Sequence, residues 1–409
     1  MEIKNSMPKI LMIAADYPPC LSAGVQRTYH FSENLYKAGW QPLILTAHPR
    51  IYQKLDNVIQ VSDGIKPHVK RAFAADASVH LAIKGKYFGF LENPDKIASW
   101  YYHGWRLGLK MIKEHQPDVI WSTFPVSTAH RIALKLKQKT GIKWVADFRD
   151  PLHSHCDDNY KTITQKAKEI DKQTVEQADF LVFATQNMAE LYKKAYPMQP
   201  AEKFHVIENG YDEALFEGLE RTEPVDDIFT LLYSGGLYPH GRDSIPLFHA
   251  IAQLVQEGKL EKDKFCLKFR GSGDGAAYKT LLNELNISEM VKFLPSIPYK
   301  ESIQEMKNAD GLLVLQGKTF NNQIPGKVYE YIATGNPILG LVGEAGACST
   351  LLEPIDNAFT SGEYDSSEIA KDLISLFSAN VNRDNNISLS YSRLVSSEKL
   401  LSILSTSGS

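Results

Sequence analysis

Two α/β units, each built on a doubly wound parallel sheet, are what this sequence predicts. Three features lead there. Apolar runs of buried-strand type recur at βαβ spacing, glycine-containing loops follow the first strand of each half, and an aperiodic acidic stretch divides the halves. At 409 residues the chain exceeds what one compact core holds and suits two domains of ordinary size.

The first half opens with a strand over Ile10 to Ala15, a loop from Tyr17 to Gly24, a helix over Val25 to Ala38 closed by Gly39, and a strand over Pro42 to Thr46. That is one βαβ unit. Trp100 to Trp105 reads as a core-facing helix. Asp118 to Ser122, a helix over Ala129 to Lys139, Trp144 to Asp147 and Phe180 to Ala184 continue the alternation. Asn209 to Asp212 is a turn, and Glu217 to Asp227 is acidic, contains Pro224 and lacks periodicity. The expected domains are therefore 1–216 and 229–385, joined by a linker at 217–228. The second series runs through Phe229 to Ser234, Gly235-Gly236, a helix over Ile245 to Gln256, Phe265 to Phe269, Gly271 to Gly273, Val291 to Leu294, Gly311 to Leu315 and Ile338 to Val342. It repeats the pattern of the first half without repeating its sequence. Two such halves place ligands at the C-terminal edges of their strands, in a cleft, beside glycine-rich turns and helix N-termini.

A net charge of −3 and a pI of about 6.5 give no basic footprint for nucleic acid. Cys20, Cys156, Cys266 and Cys348 lie far apart, without a CxxC pair, which argues against a disulfide framework or zinc ribbon. The run Ile10 to Ala15 is too short for a signal-peptide core or a bilayer span. The expectation is a cytoplasmic protein, with attachment to the inner membrane face left open.

The segment from Pro325 to Pro337 carries the most chemistry. Pro325 suits a first turn and Gly335 a C-terminal cap, which gives a helix of about two to three turns. Lys327 and Glu330, three apart, share a face near its N-terminus. There a cation and the helix dipole favour a diphosphate, and a carboxylate one turn on accepts hydrogen bonds from ribose hydroxyls. A plain surface ion pair is the alternative. Gly24 stands where a first βα loop brings bare N–H groups to phosphate, or simply where a helix enters, and Arg27 lies one turn later. Gly236 and Arg242 follow the first strand of the second half, and Gly273 belongs to a glycine-rich turn. Asp147-Phe148-Arg149-Asp150 ends a strand, either as an active-site wall or as an Asp–Arg pair closing that strand. His130 lines a cleft or belongs to a helix cap. His153, His155, Cys156, Asp157 and Asp158 have loose metal-ligand spacing and read as a polar loop. Lys84 to Leu91 mixes cations with aromatics, as a membrane contact or an ordinary loop.

The Pro325–Pro337 segment resembles the donor-binding motif of retaining glycosyltransferases of family 4, which share the two-domain GT-B fold. The family pattern is a Glu, seven residues, a second Glu, and a small-Gly-x-Pro corner. Glu330 and Gly335-Asn336-Pro337 fill its second half, and Asn322 replaces the first Glu. A polysaccharide-biosynthesis branch is similar, with its Pro-x-Lys-x-x-Glu-Tyr signature. So are the Pro18-Pro19 loop, Asp147 to Pro151, Glu208 to Asp212, Tyr233 to Tyr238, and a tail from Tyr391 to Leu404 like the family's closing helix. The resemblance thus implies a C-terminal helix over 386–409 returning to the N-terminal domain. Gly236 occupies the position of a family Arg, which leaves Arg242 and Lys327 jointly on the diphosphate. The loop with Ile297 corresponds to the family's base-binding turn. Asp150 falls near the position facing the transferred sugar, with Arg149, Arg27, His130 and Asn322 as further sugar or acceptor contacts. The implied activity is retaining, metal-independent transfer from a nucleotide sugar to a glycan or lipid-linked acceptor, with no cofactor. A nucleotide-sugar 2-epimerase of the same fold and a non-catalytic nucleotide-sugar-binding protein are the alternatives.

Overall fold

In a computed structural model, which describes residues 7–55, 59–84, 86–151, 165–222, 227–237, 241–362, 365–379 and 386–407, the chain forms two compact units. One contains the chain up to Glu208 together with Arg393 onward, and the other is Asn209–Ser392.

The N-terminal unit is a parallel sheet of order β3-β2-β1-β4-β5-β6-β7, with β1 Lys9–Ile13, β2 Gln41–Ala47, β3 Val69–Ala72, β4 Val119–Thr123, β5 Lys143–Phe148, β6 Phe180–Phe183 and β7 Phe204–Val206. Its helices are α1 Ala23–Lys37, α2 Ala77–His80, α3 Trp100–His115, α4 Ser127–Thr140, α5 Gln165–Gln177 and α6 Gln186–Ala195. The central strands are mostly apolar because helices cover both faces of the sheet, and β4 is buried at every position. Helices α3 and α4 pack closely through Gly104 and Gly108. A Cβ at these positions would stand 2.4 Å from Ile132 Cδ1 and 2.7 Å from Leu136 Cδ1.

The C-terminal unit has the order β10-β9-β8-β11-β12-β13, with β8 Phe229–Ser234, β9 Phe265–Arg270, β10 Val291–Leu294, β11 Gly311–Gln316, β12 Ile338–Val342 and β13 Ala358–Ser361. Its helices are α7 Ile245–Gln256, α8 Lys279–Glu284, α9 Tyr299–Asn308, α10 Gly326–Thr334, α11 Ala347–Leu352, α12 Ser366–Phe377 and α13 Asn386–Leu389. In each sheet the strand order reverses beside its first strand, between β1 and β4 and between β8 and β11. Such switch points are where open α/β sheets receive ligands.

The unit boundary differs from the expected linker at 217–228. Asn209 already belongs to the second unit. Residues beyond it are tied there by Arg221 to Asp310, by the Thr222 N–H to Asn308 Oδ1 at 3.0 Å, and by Gln304 Nε2 to the Glu220 carbonyl at 2.9 Å. Residues 223–226 lie outside the described residues. The last helix, α14 Arg393–Ser407, packs in the N-terminal unit, where Leu400 and Leu404 join the core of Ile10 and Met12. Asn34 donates to Ser397 Oγ at 3.0 Å.

One interior ion pair fastens the N-terminal unit. Arg27 of α1 grips Asp147 of β5 through two nitrogens, Nη2 to Oδ1 at 2.7 Å and Nε to Oδ2 at 2.9 Å. The same guanidinium donates to the Ile207 and Glu208 carbonyls at 2.9 and 3.1 Å, and Thr123 Oγ1 donates to Asp147 Oδ2 at 2.7 Å. Helix α1 is thereby joined to β4, β5 and the residues after β7. Removing one partner strands a buried charge, which typically costs about 3–5 kcal/mol. Arg27→Met or Asp147→Leu alone is expected to lower the urea-unfolding midpoint markedly, and the double variant to recover much of the loss. Single variants that unfold at the wild-type midpoint contradict this role.

Candidate functional site

The two switch points are built differently. In the N-terminal unit a small pocket opens beyond β1 and β4, lined by Asp16, Gly24, Thr28, Phe124 and Arg149 among others. Gly24 is required by crowding, since a Cβ there would come within 2.4 Å of Asp16 Oδ2 and 3.3 Å of Arg149 Nη1. Arg149 Nη1 donates to the Gly24 carbonyl at 3.2 Å, and Ser22 Oγ donates to Asp16 Oδ2 at 2.8 Å. Asp150 is half-buried beside them. Burial raises its carboxyl above the usual carboxylate range, opposed by the Arg149 charge. Asp16 on the pocket wall was not singled out by sequence, because only the fold brings it against Gly24 and Arg149.

Two expected contacts of this unit turn out to be interior residues. Arg27 is 6% exposed, and its guanidinium is engaged by Asp147 and two carbonyls. His130 is fully buried on α4, with Nδ1 2.8 Å from Ser122 Oγ and its ring against Phe148 at 5.0 Å. Burial pushes its pKa down to about 4. Both were placed on the site by their nearness in sequence to loop residues, whereas their partners come from other strands. The Asp147–Arg pairing does exist, with Arg27 and not Arg149. The His153–Asp158 loop lies outside the described residues, and among the described residues no three of His, Cys, Asp or Glu converge as metal ligands would.

In the C-terminal unit the switch point holds an uncompensated cation. Lys327 lies in the first turn of α10, and its Nζ is buried without a hydrogen-bond partner, 3.4 Å from the centre of the Tyr233 ring. The surface ion pair with Glu330 does not form. Gly235, at φ +131°, passes over the ammonium, where a Cβ would lie 3.4 Å from Nζ. The turn is held by Ser272 Oγ donating to the Gly235 carbonyl at 2.5 Å and Tyr233 Oη donating to the Gly236 carbonyl at 2.8 Å. Burial holds Lys327 well below the ordinary lysine range, and the Arg242 charge pushes the same way. Arg242 is steadied by Gln316 Oε1 at 3.4 Å, on the loop that the Gly317 N–H ties to the Gly241 carbonyl at 2.9 Å. Two cations therefore share one small region, and the ring face of Tyr233 supplies attraction but no anion.

Glu330 sits one turn along α10, buried to 7% exposure, and accepts a hydrogen bond from the Tyr299 hydroxyl at the start of α9. Ile297 is half-buried in the β10–α9 loop immediately before Tyr299. Asn322 lies half-buried in the turn leading to α10. Gly273, at φ +89°, has open space around the position of a Cβ. Lys327, Glu330, Gly235, Gly236 and Arg242 are thus gathered on one side of one sheet by β8, β11 and α10. Tyr299 and Gln316, which position the carboxylate and a cation, escaped sequence reading because they look like ordinary strand-end and helix-start residues. The Pro-x-Lys-x-x-Glu-Tyr spacing and the Tyr233–Tyr238 stretch were the signals pointing here.

A lysine whose folded value lies below its unfolded value binds fewer protons folded than unfolded, so stability rises with pH between the folded value and 10.5. Lys327→Met is therefore expected to raise the thermal midpoint of the ligand-free protein at neutral pH and to remove that alkaline rise. A variant less stable than wild type at neutral pH contradicts the cost assigned to this cation.

Residues 83–215 match the family model for Glycosyltransferase Family 4. No curated protein sequence matches the chain. Among solved structures, the chain is similar to sucrose-phosphate synthase from Thermosynechococcus elongatus, at 13% identity and TM-score 0.70, over 98% of this chain and 99% of that one. It is also similar to Anabaena HepE in complex with UDP, at 16% identity and TM-score 0.63, over 97% and 100%. UDP-GlcNAc 2-epimerase from Methanocaldococcus jannaschii follows at 13% identity and TM-score 0.54, over 97% and 99%. At these identities the solved structures speak to fold. With its two parallel-sheet units the chain has the GT-B fold of these structures, and part of its first unit is similar to glycosyltransferase family 4.

Proposed function

We propose that the protein transfers a hexose-type sugar from a nucleotide-diphosphate sugar to a glycan or lipid-linked acceptor, with retention at the anomeric carbon. The observation that carries the reading is Lys327, a buried ammonium without a hydrogen-bond partner beside Arg242 and the Gly235–Gly236 turn. A diphosphate supplies what that region lacks. Its negative charge meets both cations, and the bare backbone of the turn admits its oxygens. HepE, described in complex with UDP, has the same fold, which agrees with a nucleotide ligand.

In this reading Lys327 and Arg242 stabilise the charge that grows on the leaving diphosphate, so the chain's own cations take the part that a metal plays elsewhere. Glu330, its carboxylate oriented by Tyr299, accepts hydrogen bonds from the ribose hydroxyls. The loop with Ile297 borders the base, and Gly236 and Gly273 border the nucleotide. Gly24, Arg149 and Asp150 of the N-terminal unit handle the acceptor, and Asn322 of the C-terminal unit contributes to the donor sugar. The C1–O bond of the donor breaks as the acceptor oxygen forms its bond on the same face. The acceptor's proton passes to an oxygen of the departing diphosphate, so no protein nucleophile is required.

A thermal-shift panel of UDP, GDP and ADP tests the donor site. One base is expected to stabilise by about 2.7 kcal/mol at a hundred times its dissociation constant. Lys327→Ala and Glu330→Ala are each expected to weaken that binding about tenfold or more, the scale of a lost hydrogen bond to a charged group. Variants that bind as tightly as wild type overturn the donor site. Asp150→Asn is expected to lower turnover with donor affinity unchanged. The epimerase fold neighbour motivates one further control: incubation with the donor sugar alone should yield no 2-epimer, and an epimer formed without acceptor replaces transfer with epimerisation.

A further inference from the structure

The connection from β3 to α3 in the N-terminal unit is the most apolar exposed stretch among the described residues. Five of the fifteen exposed large apolar side chains among the described residues fall within residues 79–90: Val79, Leu81, Ile83, Phe88 and Phe90. Ile83, Phe88 and Phe90 are 77%, 71% and 72% exposed, well beyond what scattered surface hydrophobics require. The stretch is ordered by its own backbone. Ile83 and Lys86 form an antiparallel bridge, the Ile83 N–H donating to the Lys86 carbonyl at 2.8 Å and the Lys86 N–H to the Ile83 carbonyl at 3.1 Å. Phe88 and Phe90 stack at 5.7 Å, so the two rings form one apolar surface instead of folding inward.

The charge pattern selects the partner. From Ala77 to Leu91 the sequence contains no Asp or Glu, while Lys84 and Lys86 are exposed at the bridged turn between Ile83 and the stacked rings. The nearest acid on the far side, Glu92, already accepts from Tyr87 Oη at 2.6 Å. Aromatic side chains flanked by lysines match the interface of an anionic bilayer, where rings enter the headgroup layer and ammonium groups stay with the phosphates. No described helix is long and apolar enough to cross a membrane.

We propose that Ile83, Phe88 and Phe90, with Lys84 and Lys86, form a docking surface for an anionic lipid bilayer. The surface belongs to the N-terminal unit and is independent of the nucleotide reading of Lys327. The test is co-sedimentation of the full chain with vesicles of phosphatidylcholine alone and of phosphatidylcholine mixed with phosphatidylglycerol, at low and high salt. Wild-type protein is expected to sediment with the mixed vesicles only, and less so as salt rises. Two double variants, F88S with F90S and K84E with K86E, are each expected to reduce the bound fraction about tenfold or more, the second through the loss of about 1 kcal/mol per basic residue near the surface. Because all four side chains are exposed, both variants should keep the wild-type thermal midpoint. Absence of binding to the mixed vesicles overturns the proposal. So does equal binding by wild type and variants, or a concentration-dependent dimer that F88S with F90S abolishes while vesicles leave it intact.

Discussion

Taking a cation out of water costs free energy unless an anion or a set of acceptors meets it, and the two units of this protein meet that constraint in opposite ways. Arg27 is satisfied within its unit by Asp147 and the carbonyls of Ile207 and Glu208. It spends its hydrogen bonds on architecture, joining α1, β5 and the chain beyond β7. Lys327 has a ring face and the nearby charge of Arg242, which opposes it. The first cation stabilises the fold it sits in. The second is a standing cost, and such a cost persists where a ligand offsets it.

The topology explains why the costly cation lies where it does. With β8 and β11 adjacent and their connections leaving in opposite directions, the loops after these strands diverge around the N-terminus of α10. Lys327 in that first turn faces Gly235, whose positive φ and missing side chain leave backbone alone above the ammonium. The N-terminal sheet has the same order around β1 and β4, yet its switch point is lined by Asp16, Arg149 and Gly24. That mixed-charge pocket suits hydroxyl-rich groups better than a diphosphate. The two units share an architecture and differ in the charge that each switch point presents.

Much of the fold was legible because central parallel strands are buried on both faces and so read as unbroken apolar runs. Phe229 to Ser234 and Ile338 to Val342 coincide with observed strands. The strands that escaped notice, β3, β7 and β13, are short edge strands with exposed or polar positions, such as Val-Lys-Arg-Ala in β3. The two compact units divide at Glu208 and Asn209, ahead of the acidic stretch that composition marks as a linker. At the site, Lys327 and Glu330 could be found because helical spacing alone puts them together. Arg27 and His130 could not be assigned from sequence, since Arg27's partner lies 120 residues away and His130's ring is enclosed by Trp144 and Phe148 from β5. Tyr299 and Tyr233 matter for what they hold in place, which only coordinates reveal.

The central claim is that burial and the Arg242 charge hold Lys327 below the ordinary lysine range until a diphosphate arrives. Calorimetric titration with UDP, GDP or ADP at about pH 9, below the ordinary lysine value, in buffers of different ionisation heat measures the protons exchanged on binding. The nucleotide phosphates are fully ionised at that pH and contribute none. The wild-type protein should take up more protons with the nucleotide it binds than Lys327→Met does. Equal proton exchange in the two proteins would contradict the account.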